Sequence, residues 1–283
     1  MFILRNDRLT AFIDENGAEL CSLRDNDNNE YIWTAEDVWK RHAPVLFPFV
    51  CNTLSKKYTA DGKTYALSNH GFARDSVFSE KSYSESSVEL ILTSDEDTLS
   101  KYPYEFEFRV RYTLTGNKVK CEFITRNTGD KELVFFVGGH PGFLCPFSHD
   151  KNGQFTDYKV VYDRPETIVQ HLDSGDVTVL DNGTEVPLTR ELFRNDVFMK
   201  NSPASSKVSL VDTKSGRNVS VRFNSGCIAV WSPYDDRADF VCLEPWAQTP
   251  VYDCDTEELT EMPHAQRLAA GGEHTFAFDI EIN

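Results

Sequence analysis

Two histidines and one glutamate occupy settings in which a side chain could move a proton. The first, His140, lies in Phe135-Phe136-Val137-Gly138-Gly139-His140-Pro141-Gly142-Phe143, where an apolar strand-like run ends in paired glycines. Those glycines allow a turn or a close backbone approach and Pro141 pins the chain that follows, so the imidazole is aimed out from a sheet edge. Imidazole titrates nearest neutral pH, which suits it to acid/base work; a histidine satisfied at a strand end is the other reading of the same pattern. The second, His70, sits in Ser68-Asn69-His70-Gly71-Phe72-Ala73-Arg74-Asp75, with Arg74 four residues on. This stretch reads as a loop after a hairpin, and alone it is also consistent with incidental loop polarity. The third, Glu244, follows the apolar run 240–243 and precedes Pro245 and Trp246, which places it at the end of a strand. A carboxylate against apolar and aromatic surface has its charged form disfavoured, which raises it toward neutral proton transfer; an ordinary strand-terminal charge is the alternative.

The elements that must position these residues read as strands. Alternation is clearest in Val88, Leu90 and Leu92, then in Phe106, Phe108, Val110, Tyr112 and Leu114, with Glu105, Glu107, Arg109, Arg111 and Thr113 opposite. One face is therefore buried and one is wet. Thr115-Gly116-Asn117-Lys118 turns the chain into Val119, Cys121, Phe123 and Thr125, and Asn127-Thr128-Gly129-Asp130 turns it again toward residues 132–137. The amino-terminal part reads as a meander with a turn at Glu15-Asn16-Gly17, and Asp61-Gly62 marks a tight hairpin. Pro48 makes the run Val45-Leu46-Phe47-Pro48-Phe49-Val50 an edge or a loop lining. Further strands are expected at 158–162, 167–170, 177–180, 208–211, 219–223, 228–231, 240–243 and 275–282, with turns at Asp181-Asn182-Gly183 and Lys214-Ser215-Gly216. Helix is expected only in short pieces, at 34–41 behind a Thr34 cap, near 95–99 and at 189–193. The chain is thus all-β and antiparallel, and without linker or repeat it is expected to form a single domain over residues 1–283.

Composition narrows the function classes. The 283 residues carry a net charge of −16, so nucleic acid and anionic membrane surfaces are poor partners, because phosphate binding needs clustered Lys and Arg. Seven cysteines, odd in number and without a Cys-x-x-Cys pair, support neither a disulfide framework nor a zinc site and fit a reducing cytoplasm. No apolar run approaches the roughly 18 residues of a membrane span, and the amino terminus turns charged too early for a signal segment. Asp235, Asp236 and Asp239 lack the glycine and distal glutamate of a calcium loop and read as a solvated turn.

Four short motifs occur in order: Leu46-Phe47-Pro48, His70-Gly71-Phe72-Ala73-Arg74, Gly139-His140-Pro141-Gly142-Phe143 and Leu243-Glu244-Pro245-Trp246. Through them nearly the whole chain resembles the aldose 1-epimerase (galactose mutarotase) family, in its LacX-like branch. The resemblance implies a galactose-mutarotase-like β-supersandwich with an open sugar cleft and a galactose- or glucose-like aldose as ligand. It further implies a monomer or homodimer, with no cofactor and no metal. By this likeness Glu244 is the general base at the anomeric hydroxyl, His140 the acid at the ring oxygen, and His70 a third catalytic residue that polarises the ring region. Arg74, Asp196 and Trp246 are the expected substrate-binding residues. One position departs from the family, since Cys51-Asn52 stands where a Gly-Arg pair is typical, and asparagine cannot copy a bidentate arginine clamp. Lys56 or Lys57 is the available substitute. Hexose-6-phosphate epimerase is a second enzymatic reading. A carbohydrate-binding sandwich without turnover, stacking sugar on Trp39, Trp231 or Trp246, is a third.

Overall fold

The computed structural model describes residues 1–251 and 256–283, so Cys254 lies outside the described residues. Nine strands form the larger sheet in the order Val177–Pro187, Tyr158–Gln170, Lys207–Asp212, Asn218–Phe223, Glu273–Ile282, Lys118–Asn127, Phe106–Thr115, Ser87–Thr93 and Ser79–Tyr83. Every neighbouring pair in it is antiparallel. Its centre is the alternating stretch read from the sequence: Phe106, Phe108, Val110, Tyr112 and Leu114 are buried, and the residues between them are half-exposed. That wet face is covered by ion pairs such as Arg109 Nε to Glu107 at 3.0 Å and Lys118 Nζ to Asp279 at 2.8 Å.

A six-stranded sheet carries the sequence motifs. Its order is Phe198–Asn201, Cys227–Trp231, Phe240–Trp246, Gly138–Gly139 and Val45–Leu46, and Gly142–Leu144 also pairs with Phe240–Trp246. Val45–Leu46 lies at the edge, as Pro48 requires, because a proline cannot donate into a ladder. Phe47, just beyond it, stacks on Phe108 of the larger sheet with ring centroids 4.3 Å apart and planes within 7°. Such rings fasten the motif-bearing sheet to the core, each aromatic pair adding about 0.5–1.5 kcal/mol beyond the area it buries.

The structure departs from the sequence reading in four places, the first being that the strands expected at 158–162 and 167–170 form one strand, Tyr158–Gln170. Residues 34–41 form no helix, only a turn closed by Trp39 N–H to the Glu36 carbonyl at 3.0 Å, with Ala35 left-handed at φ 56°. Trp33 and Trp39 both stack on Phe240, at 4.6 and 5.1 Å, and the Trp33 indole N–H donates to the Trp39 carbonyl at 2.8 Å. Stacking of two indoles on one ring thus overrides the weak local preference for helix. Asp181-Asn182-Gly183 does not end a strand; Val177–Pro187 runs through it as an irregularity in register. Likewise Glu244 lies within the strand Phe240–Trp246, not at its end, since Pro245 still takes a register position opposite Ile228. The other two expected short helices do occur, as the α-helix Glu96–Lys101, capped by Asp95, and the 3-10 turn Arg190–Phe193.

Candidate active site

The strand Phe240–Trp246 alternates, so Cys242, Glu244 and Trp246 project from one face. Across the ladder Gly138 pairs with Trp246, and a side chain at Gly138 would put its Cβ 2.5 Å from Trp246 Cδ1. Glycine there lets the indole lie against the backbone that leads to His140. The His140 N–H then donates to the Pro44 carbonyl at 3.2 Å, which ties the residue to the chain just before the edge strand. On the other side Gly71 adopts φ 72°, and a Cβ there would meet the Phe47 carbonyl oxygen at 2.3 Å. The His70 loop is therefore closed down on the same edge, where Phe72 and Ala73 both donate to the Phe47 carbonyl.

These elements open a cleft of about 680 Å³ lined by all of Glu244, His140, His70, Arg74, Asp196 and Trp246. Trp39, Trp231, Asn69 and Asn52 complete much of its wall. Lys56 also lines it, whereas Lys57 does not. Glu244 and His140 are both buried, with His140 Nε2 3.1 Å from Glu244 Oε2. His140 stacks on Trp39 at 5.2 Å, meets Trp231 edge to face at 5.7 Å and faces His70 at 5.5 Å with ring planes at 88°.

Protonation follows from this packing. Burial disfavours the imidazolium and lowers His140 to about 3, and the Arg74 and Arg41 charges act in the same direction. Burial also pushes Glu244 well above the usual carboxylate range, with the Asp196 charge adding and the Trp246 indole partly opposing. His70 is held well below the usual imidazole value by burial, then by His140, Arg74 and Arg41. The Cys51 backbone N–H donates to His70 Nδ1 at 3.1 Å, so neutral His70 carries its proton on Nε2.

Hydrogen-bonding capacity is left open at the floor. Among the described residues, His140 Nδ1, Glu244 Oε2, Trp246 Nε1 and Arg74 Nε are buried without a hydrogen-bond partner. The 3.1 Å contact of the pair is close enough for an ion pair but misaligned for a hydrogen bond. The walls carry backbone strain as well: Cys51, His70 and Asp196 are non-glycine residues at φ 62°, 63° and 66°. Such conformations persist only where surrounding contacts impose them. For Asp196 one such contact is the Trp231 indole, which donates to Oδ1 at 2.6 Å.

A family model described as aldose 1-epimerase matches residues 1–281. The chain belongs to the aldose 1-epimerase family. This epimerase-family chain is 31% identical over 299 residues to the chromosomal LacX protein of Lactococcus lactis subsp. lactis, covering 99% of this chain and 98% of the relative. It superposes with a TM-score of 0.92 on a galactose mutarotase related enzyme from Lactobacillus acidophilus, at 30% identity and covering 100% and 97% of the two chains. A galactose mutarotase-like protein from Lactobacillus casei gives 0.86 at 26% identity, with 100% of each chain covered. The architecture of the epimerase-family chain is accordingly the galactose-mutarotase-like β-supersandwich.

Not every wall residue is legible in the sequence. Trp39 and Trp231 have only their aromatic character, while Asn69 and Val197 carry no signal beyond position in a loop.

Proposed function

We propose that this protein, acting as a single domain over residues 1–283, interconverts the α and β anomers of a glucose- or galactose-like aldose. The observation that carries this reading is the 3.1 Å approach of His140 Nε2 to Glu244 Oε2, both buried, at the floor of a cleft of about 680 Å³. That volume falls in the range of small-molecule sites.

The anomeric oxygen and the ring oxygen of a pyranose are bonded to the same carbon, so two groups that nearly touch can address both. With one exchangeable proton between them, His140 and Glu244 exist either as imidazolium and carboxylate or as imidazole and carboxylic acid. Ring opening converts the first state into the second: Glu244 takes the O1 proton, the C1–O5 bond breaks, and His140 delivers its proton to O5. Rotation about C1–C2 then exposes the other aldehyde face. In reclosure Glu244 returns a proton to O1 and His140 recovers one from the attacking O5 hydroxyl, so the pair ends as it began. Burial favours the uncharged pair, so imidazolium and carboxylate form the higher-energy state, from which His140 gives up its proton and Glu244 takes one readily.

His70 offers its Nε2–H to the sugar near the ring oxygen. Arg74, Lys56 and Asn69 receive hydroxyls, and Lys56 takes over part of the task of the arginine replaced by Asn52. Trp39, Trp231 and Trp246 supply apolar surface for the sugar's C–H face.

Polarimetry on freshly dissolved α-glucose, α-galactose and a wider aldose panel tests the function. Acceleration over buffer with at least one aldose is expected, and none across the panel would refute it.

A further inference from the structure

We infer that His140, Cys242 and Glu244 form a binding site for a thiophilic divalent cation of the zinc type, and that such an ion inhibits the protein. One ring nitrogen of His140, Sγ of Cys242 and a carboxylate oxygen of Glu244 lie within 4.8 Å of one another. Cys242 and Glu244 are two apart on one strand and so share a face, and Gly142, opposite Cys242 in the ladder, brings the His140 segment over them.

The donor set is selective. Nitrogen, sulfur and carboxylate oxygen suit zinc, whereas calcium and magnesium take oxygen shells. Ordinary zinc–ligand lengths place tetrahedral donors about 3.4–3.6 Å apart, so donors within 4.8 Å close on an ion by small side-chain rotations. The three residues are 7%, 0% and 1% exposed, and Oε2 of Glu244 and Nδ1 of His140 lack partners. An ion would therefore satisfy a carboxylate oxygen that the fold leaves open. Binding displaces two protons, one from the thiol and the one shared by the pair, and the resulting thiolate and carboxylate neutralise the dication. The three side chains leave a fourth tetrahedral position to a water or another ligand. An ion so held occupies the lone pairs through which His140 and Glu244 would exchange protons with sugar.

The inhibition rests on the epimerase reading; the binding does not. Cobalt(II) titrated into the purified protein should give, at one equivalent per chain, a thiolate-to-cobalt charge-transfer band and tetrahedral visible bands. Both should vanish in Cys242→Ala and in His140→Asn, and persist in Cys51→Ser, which removes the half-exposed thiol of the cleft wall. If Cys242→Ala does not fold, the bands in His140→Asn decide the matter. Stoichiometric zinc should suppress mutarotation by wild type at least tenfold, with recovery on adding EDTA. No charge-transfer band in wild type, a band surviving both site variants, or a band lost in Cys51→Ser would overturn the site. Full mutarotation with the cobalt bands at saturation would overturn the inhibition, whereas the bands in a protein with no mutarotation would uphold the site and refute the epimerase reading.

Discussion

A histidine and a glutamate buried in contact respond to pH as a pair, because each is displaced from its ordinary value in the direction that favours the neutral form. His140 is depressed from 6.5 to about 3, so its contribution to stability is present at high pH and is lost as pH falls from 6.5 toward 3. Glu244 is raised well above 4.5, so its contribution is present below 4.5 and is lost as pH rises through its folded value. Between 4.5 and 6.5 the two slopes oppose one another. The stability of wild type relative to the double variant His140→Asn/Glu244→Gln should therefore show a plateau in that window and fall on both sides, by up to about 1.4 kcal/mol per pH unit. Urea denaturation of both proteins across pH 3–8 measures it, and a monotonic difference would contradict the shared proton. Catalysis should respond to the same atoms: Glu244→Gln and His140→Asn each lower kcat by about 10²–10⁴, with KM changed far less.

Element by element, the site depends on backbone that comes closer than a side chain would allow. Gly71→Ala combines φ 72° with a 2.3 Å clash against the Phe47 carbonyl, and should destabilise by about 1–3 kcal/mol or more. Gly138→Ala meets the Trp246 ring instead, and should raise KM at a stability loss of about 1–3 kcal/mol. Thermal unfolding and steady-state mutarotation separate the two effects; an unchanged KM in Gly138→Ala would remove Trp246 from the sugar contacts. These close approaches are visible in the sequence as glycines next to histidines. The central alternation of Phe106 to Leu114 is equally visible, because burial on one face writes a period of two. The course of residues 34–41 is not, since it is set by Phe240, some 200 positions away, which draws both indoles onto one ring. Nor is the central place of Glu244 in its strand, because Pro245 reads locally as a stop while the ladder accommodates it. The His70, His140 and Glu244 motifs can be found separately, but their convergence belongs to a sheet built from strands remote in sequence.

The whole molecule bears −16 charges, and its cleft mixes the cations Arg74 and Lys56 with the acids Asp196 and Glu244. A neutral sugar meets no long-range penalty there. A phosphorylated one approaches against the field, with Arg74 already beside Asp75 at 3.9 Å and Arg41 paired to Asp75 at 2.7 Å. Glucose should therefore be preferred to glucose 6-phosphate by roughly tenfold or more in kcat/KM, or about 1.4 kcal/mol, and added salt should narrow the gap. A clear preference for the phosphate would assign the protein to the other enzymatic reading. Among the described residues no helix is long and apolar enough to cross a membrane.

The shared-proton chemistry is tested most directly by NMR exchange spectroscopy between the α and β anomers of one accepted aldose, at equilibrium, with wild type, His140→Asn and Glu244→Gln side by side. Wild type should show exchange cross-peaks on the timescale of the mixing period, and each folded single variant should fall close to the buffer rate. Wild-type exchange surviving in either variant would contradict an acid/base pair made of His140 and Glu244.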